Sequence, residues 1–143
     1  MSNSDVLHIG IHAEQRPDQP AIIMAATSQV VTYRELNDRS KKLALYLRAN
    51  GVKAGEHVAI QMRNNADYFV ACWAARRSGL YFTPVNWHLT PEEVTYIVED
   101  CDAKVLVTSE AEVPVAEQVV AKLPQLVVRL TNGPATGSFK SLQ

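Results

Sequence analysis

The chain has 143 residues, a length typical of one domain and sufficient to bury a hydrophobic core. Apolar residues make up 47% of the sequence, charged residues 20%, and the formal net charge is −1. This balance is typical of a globular protein and does not indicate the basic face with which proteins bind nucleic acid. We therefore expect no nucleic-acid partner.

Two further features bear on where the protein works. No apolar run approaches the roughly 18 residues of a membrane helix, and the N-terminus lacks the basic start and apolar run of a signal peptide. Cys72 and Cys101 lie in apolar helical stripes without partners at the spacing of a disulfide or a metal site. The sequence thus predicts a cytoplasmic protein with free thiols and no transmembrane segment.

The first elements in chain order are a helix and a hairpin. A helix is expected from residue 6 to about residue 15, with Leu7 and Ile11 four positions apart on its buried face. Short apolar runs at 21–24 and 29–31 flank a turn-forming segment, which predicts two strands joined as a hairpin.

A long surface helix follows the hairpin. Thr32 and Glu35 have the spacing of a capping box, in which each residue satisfies a backbone N–H of the other. Gly51 fits the left-handed position that ends many helices. The predicted buried stripe between these two ends consists of Leu36, Ser40, Leu43 and Leu47.

From His57 onward, predicted strands and helices alternate, which indicates an α/β fold with a mainly parallel sheet and helices on both faces. The predicted helix around 68–75 is apolar on every side and is therefore expected to be buried on every side, or nearly so. Residues 1–130 form the predicted α/β subdomain, and residues 131–143 have the composition of a loop-like tail. Strands are expected at 57–62, 80–85, 104–108 and 126–130.

Several segments together carry a family resemblance. The most specific is 76–86, in which Gly79 separates an apolar helix from a strand that ends in proline and asparagine. In this order and spacing the segments resemble the opening of AMP-forming acyl-CoA synthetases, the fatty-acid–CoA ligases of the adenylate-forming superfamily. The other matching segments are 17–22, 31–36, 87–93 and 103–108.

The resemblance implies a partial N-terminal subdomain of the adenylate-forming enzyme fold. It also implies a two-step reaction in the parent enzyme, in which ATP and a carboxylic acid give an acyl-adenylate with the help of Mg²⁺, and CoA then displaces AMP. Such enzymes hold the phosphates with a Ser/Thr/Gly-rich loop that ends in lysine and use a second lysine from a C-terminal domain. Neither element is found in this sequence, so we expect the chain alone to be inactive, with no catalytic residue and no bound cofactor.

Two patterns superficially suggest other sites. The segment 131–138, with Lys140 nearby, has the residue types of a phosphate loop, but it matches neither a Walker motif nor the spacing in the resembled family. His8 and His12 are four apart, as metal ligands on one helix face can be, but no third ligand accompanies them. We predict no metal site.

His88 is the one residue to which the resemblance assigns a cofactor contact. Related ligases commonly show Asn-x-Arg-Leu where this chain has Asn86, Trp87, His88 and Leu89, and in some of them the arginine lies near the phosphates of CoA. A histidine can also donate to phosphate, although near neutral pH it is only partly charged. His88 is therefore the candidate CoA-binding residue, and a solvated loop histidine is the alternative.

Three functions remain open from the sequence. The first is the N-terminal part of an acyl-CoA synthetase. The second is a non-catalytic module that forms homo-oligomers through an exposed sheet edge or helix face. The third is a small nucleotide-binding α/β domain with its ligand at the carboxyl ends of the strands, although the loops after Met62 and Val107 do not form a phosphate cradle.

Overall fold

The computed structural model describes residues 8–143, so the expected helix start at residue 6 and the buried position of Leu7 lie outside the described residues. The helices are α1 (Ile9–Gln15), α2 (Tyr33–Ala49), α3 (Ala66–Arg77), α4 (Pro91–Asp100) and α5 (Val113–Lys122). The strands are β1 (Pro20–Ile23), β2 (Val30–Thr32), β3 (His57–Gln61), β4 (Tyr81–Pro84), β5 (Ala103–Thr108), β6 (Val128–Thr131) and β7 (Lys140–Ser141). A 3-10 turn at Glu110–Glu112 leads into α5.

Five of the strands form one parallel sheet in the order β4-β3-β5-β6-β7, and β1 and β2 form a separate antiparallel hairpin. Alternate residues of the strands enter different cores. On β3, Val58 and Ile60 pack with α1, α2, α3 and the hairpin, whereas Ala59 packs with α4 and α5. Helices thus cover both faces, which confirms the predicted α/β class with a mainly parallel sheet.

The ends of α2 agree with the prediction from its sequence. The Thr32 hydroxyl accepts a hydrogen bond from the Glu35 backbone N–H (3.2 Å), and the Thr32 N–H donates to the Glu35 carboxylate (2.8 Å). At the other end Gly51 has a φ of +84°, and the Val52 N–H donates to the Leu47 carbonyl (3.1 Å). At both ends of the helix, residues close in sequence therefore provide hydrogen-bond partners for backbone groups that the helix itself leaves unpaired.

The prediction that α3 is buried on every side is wrong. Val70, Ala71 and Ala74 are buried against the sheet and α2. On the other side of the helix, Phe69 is 46% exposed and Trp73 is half-buried. The Arg76 guanidinium lies 5.0 Å from the centroid of the Trp73 ring and covers part of it. An aromatic face can remain at the surface when a cation stacks on it.

The segment 131–143 also differs from the loop predicted by its composition. Thr131 ends β6, and Lys140–Ser141 form β7, which pairs in parallel with β6 as a fifth strand. Phe139 is 2% exposed and packs into the core under α4 and α5. A buried aromatic side chain contributes a large apolar contact to a segment that is otherwise rich in glycine, proline and threonine. Within residues 8–143, no helix is long and apolar enough to cross a membrane.

Candidate functional site

The carboxyl ends of the parallel strands bring three loops to one edge of the sheet. These loops follow β3 at 62–65, β4 at 85–90 and β5 at 109–112. Because β4, β3 and β5 are neighbours in the sheet, side chains from the three loops can contact one another. Ligands of open α/β sheets bind at this kind of edge.

Arg63 connects the loop after β3 to the loop after β5. Its backbone N–H donates to the Ser109 hydroxyl (2.8 Å), and its Nε donates to Oε1 of Glu112 (2.8 Å). The Glu112 side chain is 6% exposed, whereas the Arg63 side chain is 54% exposed. The pair therefore neutralises a carboxylate that would otherwise be costly to bury, and it leaves much of the guanidinium at the surface.

Trp87 joins the third loop to this pair. The Arg63 guanidinium carbon lies 4.5 Å from the centroid of the Trp87 ring, within the range of a cation–π contact. On the same loop, the His88 ring lies 3.4 Å from the Trp87 ring, centroid to centroid. The backbone N–H of His88 donates to the side-chain oxygen of Asn86 (3.0 Å). The candidate residue His88 is thus exposed at the carboxyl edge, beside an indole that contacts an arginine.

A row of buried polar side chains lies behind these loops. Gln61, Thr108 and Thr131 end the neighbouring strands β3, β5 and β6 in register, and all three are 0% exposed. Among residues 8–143, three buried groups have polar atoms without a hydrogen-bond partner. They are both polar atoms of the Gln61 amide, the Thr108 hydroxyl and Oε2 of Glu112. Buried polar atoms without partners are uncommon in folded proteins, which marks this edge as chemically unusual.

The candidate phosphate loop at 131–138 is engaged by a carboxylate of the chain itself. Glu117 on α5 accepts hydrogen bonds from the Ser138 backbone N–H (2.5 Å) and from the Ser138 hydroxyl (2.8 Å). The Glu110 side chain packs against Gly133, where a Cβ would fall 2.7 Å from it and would clash. With two acidic side chains against it, this segment does not fit a phosphate group.

The two histidines of the N-terminal helix have different partners. The Nδ1 of His8 accepts from the Gly10 N–H (3.0 Å) and caps α1, while Nδ1 of His12 lies 3.0 Å from Nη2 of Arg16. In the part of the chain described, no three His, Cys, Asp or Glu side chains gather as metal ligands do. Burial raises the pKa of the Cys72 thiol to about 11, so this thiol is protonated at neutral pH and is a poor nucleophile.

A second concave region lies between α1, the hairpin and α3. This groove has a volume of about 960 Å³ and is lined mainly by apolar and aromatic side chains. Its polar groups include His12, Asn64 and Asn65. The lining suits packing against another apolar surface better than it suits binding of a phosphate.

Sequence reasoning named His88 as a candidate, and its role stays a prediction; the contacts that join Arg63 to Glu112 and to Trp87 were not predicted. A signal was nevertheless present, because Arg63 and Ser109 each follow the end of a predicted strand, and parallel strands end at the same edge. The neighbouring positions of β3 and β5 in the sheet were not evident from the sequence. Unless β3 and β5 are known to be neighbours, nothing in the sequence predicts that Arg63 and Glu112, which are 49 positions apart, form a pair.

Comparisons with known proteins identify the family to which this fold belongs. The family described as AMP-binding enzyme matches residues 11–140. The chain belongs to the AMP-binding enzyme family. In line with this, the chain is 31% identical to the fatty acid–[acyl-carrier-protein] ligase ScoC of Streptomyces coeruleorubidus, over 83% of this chain and 22% of ScoC. It is 34% identical to a long-chain-fatty-acid–CoA ligase of Salmonella typhimurium, over 84% of this chain and 21% of that ligase.

Solved structures of adenylate-forming enzymes share the fold of this AMP-binding family member. A candidate long-chain-fatty-acid CoA ligase from Rhodopseudomonas palustris superposes with a TM-score of 0.86 at 24% identity, and the match covers 94% of this chain and 34% of that structure. Together with the family match and the two ligase relatives, this confirms the predicted membership of the adenylate-forming superfamily. The chain spans about a fifth of the length of the two curated relatives.

Proposed function

We propose that this chain forms the N-terminal part of a ligase that activates a fatty or related carboxylic acid with ATP and transfers the acyl group to CoA. The observation that carries the proposal is the similarity to two fatty-acid ligases, each over more than four-fifths of this chain. Membership of the AMP-binding family supports the use of ATP. Mg²⁺, CoA, the fatty-acid substrate and a cytoplasmic location belong to the proposal.

In this proposal the chain supplies scaffold and binding surface, and the acyl-adenylate forms on other parts of the enzyme. ATP would provide the adenylyl group, Mg²⁺ would balance the charge of its phosphates, and CoA would provide the accepting thiol. Among the described residues, His88 supports the CoA part of the proposal. His88 is exposed and able to donate, whereas the Gly/Ser-rich segment at 131–138 already contacts Glu117 and Glu110.

The acceptor thiol is the least constrained part of the proposal. The name of the Salmonella relative specifies CoA, whereas that of ScoC specifies an acyl carrier protein. Both acceptors present a thiol and differ in the group that carries it. A contact of His88 with a nucleotide phosphate would favour CoA, because CoA carries a nucleotide.

The test compares this chain with a longer protein that contains it. We expect exchange of labelled pyrophosphate into ATP, dependent on added fatty acid, for the longer protein and none for the 143-residue chain. Omission of the acid is the matched control. Exchange catalysed by the short chain would contradict its proposed inactivity, and a longer protein that forms no acyl-adenylate would contradict the proposed reaction. Supplying CoA or an acyl carrier protein in a second step identifies the acceptor.

A second candidate function is self-association, and the edge strand β4 favours it. β4 pairs with β3 on one side, and on it Tyr81 is 63% exposed and Phe82 41% exposed. An edge strand with exposed aromatic side chains is a surface on which another strand can pair. Sedimentation equilibrium of the wild type and of a Tyr81→Lys variant tests this. A concentration-dependent dimer that Tyr81→Lys dissociates would support it, and a monomeric wild type would rule it out.

A further inference from the structure

We propose that α1 is a pH-sensitive helix, which is held in place while the His8 ring is neutral and is released when that ring takes up a proton. Ile9 and His12 of α1 form part of the lining of the apolar groove between α1, the hairpin and α3. Release of α1 would therefore expose the apolar surface on the other walls of this groove. This behaviour does not depend on the proposed ligase function.

The hydrogen bond that caps α1 requires a neutral His8 ring. Nδ1 of His8 accepts from the Gly10 N–H (3.0 Å), one of the backbone groups that a helix leaves unpaired at its start. One nitrogen of a neutral imidazole can accept a hydrogen bond, whereas both nitrogens of the protonated ring are donors. Protonation therefore removes the acceptor and places two N–H groups opposite each other at the start of the helix.

The contacts of His8 with α3 also favour the neutral ring. The His8 ring packs edge-on against the Trp73 ring, with 5.9 Å between the centroids and 76° between the planes. The charged groups of α3 that act on His8 are Arg77 and Arg76, and burial together with these two charges lowers the pKa of His8. A charged ring at this position would be both poorly hydrated and repelled by two guanidinium groups.

The other neighbouring helix, α2, provides no carboxylate partner for a charged His8. The Asn37 side-chain oxygen lies near the start of α1 and accepts a hydrogen bond from Arg77 (2.7 Å). The charge of Asp38 acts on Arg77 and offsets part of its effect. Within the part of the chain that the structure describes, His8 forms no ion pair. Protonation of His8 is therefore not compensated by a local negative charge.

The rest of α1 is weakly held, so the loss of its cap can release it. The helix has seven residues, of which Ile9 alone is buried, and a helix shorter than about 12 residues is only marginally stable by itself. Gly10 within it is a poor helix former. At the other end, His12 and Arg16 lie against the Tyr33 ring. Short elements with few buried side chains open at a lower free energy than the whole fold.

The test follows the Cα chemical shifts of the 143-residue chain by NMR as the pH falls from about 7.5 to about 5. We expect the shifts of α1 to move toward unfolded values as the His8 ring titrates, while those of α2 and β3 remain unchanged. In His8→Asn, which keeps an acceptor at the cap and does not titrate, α1 is expected to stay helical over this range. His12→Gln is the matched control, because it removes the other histidine of α1 and is expected to retain the release.

A second variant, His8→Asp, decides the result if asparagine does not hold α1 at neutral pH. Aspartate is a strong N-cap whose charge would face Arg76 and Arg77, and α1 is expected to stay helical in this variant down to about pH 5. The inference is overturned if wild-type α1 stays helical below the pH at which His8 titrates, or if α1, α2 and β3 are lost together. It is also overturned if both capped variants lose α1, or if His12→Gln abolishes the release.

Discussion

Arg77 at the end of α3 donates two hydrogen bonds to Asn37 on α2, one from Nη1 to the backbone carbonyl (3.1 Å) and one from Nη2 to the side-chain oxygen (2.7 Å). The two helices are also joined by the ion pair between Arg39 and Asp67. Burial lowers the pKa of the Arg77 guanidinium, and the charge of Asp38 opposes this shift. The two hydrogen bonds from Arg77 thus offset the cost of partly burying its charge, and they join the two helices on this face of the sheet.

Loss of the Asn37 side chain is expected to destabilise the chain. Asn37→Ala removes an acceptor from a charged donor and is expected to lower the free energy of unfolding by about 1.5–3 kcal/mol. Urea unfolding followed by circular dichroism measures this. Asn64→Ala is the control, because Asn64 is exposed and its side chain makes no hydrogen bond among residues 8–143. Equal midpoints for the two variants would contradict the role of the contact.

His8 is expected to make stability depend on pH. Burial lowers the pKa of this histidine below 6.5, and the charges of Arg77 and Arg76 lower it further. As the pH falls, His8 therefore takes up its proton in the unfolded chain before it does so in the folded chain. The contribution of His8 to the stability of the folded chain is complete above pH 6.5 and is lost as the pH falls through the folded-state pKa.

The variant His8→Asn isolates this effect, because asparagine keeps an acceptor for the N-terminus of α1 and does not titrate. We expect wild-type stability to fall more steeply than that of His8→Asn between neutral pH and about pH 5, with His8 titrating below a model histidine. Urea midpoints across this range, with an NMR titration of the ring, provide the measurement. Parallel curves for the two proteins would show that His8 does not contribute.

The capping box of α2 predicts the effect of a single hydroxyl. Thr32→Ala removes the acceptor for the Glu35 N–H and is expected to cost about 1 kcal/mol of stability. Thr32→Ser retains the hydroxyl and should recover most of the loss. Thermal unfolding of the three proteins tests the expectation, and an alanine variant as stable as the serine variant would contradict it.

The segment after β6 is expected to be part of the folding unit. Phe139→Ala would open a cavity under α4 and α5 and is expected to cost about 3–5 kcal/mol. Thr136→Ala, on the exposed part of the same segment, is the control and is expected to change stability by less than about 0.5 kcal/mol. If both variants unfold like the wild type, residues 131–143 behave as the loop-like tail that their composition predicts.

The features that could be predicted from the sequence depend on contacts between near neighbours. Thr32, Glu35 and Gly51 specify the ends of α2 over a few residues, and the alternation of apolar runs was sufficient to predict the parallel sheet. The features that were missed depend on which strands are neighbours. The register that brings Arg63 to Glu112, and the core position of Phe139, follow from the strand order, which no local pattern encodes.

The burial of Gln61 has a consequence for engineering more durable versions of this chain. Its amide lies at the end of β3 with neither polar atom satisfied by another described residue, so the side chain bears the cost of dehydration without a compensating bond. Methionine has nearly the same shape and no such cost. Gln61→Met is therefore expected to raise the melting temperature, because it removes a buried polar group from the end of β3 without opening a cavity.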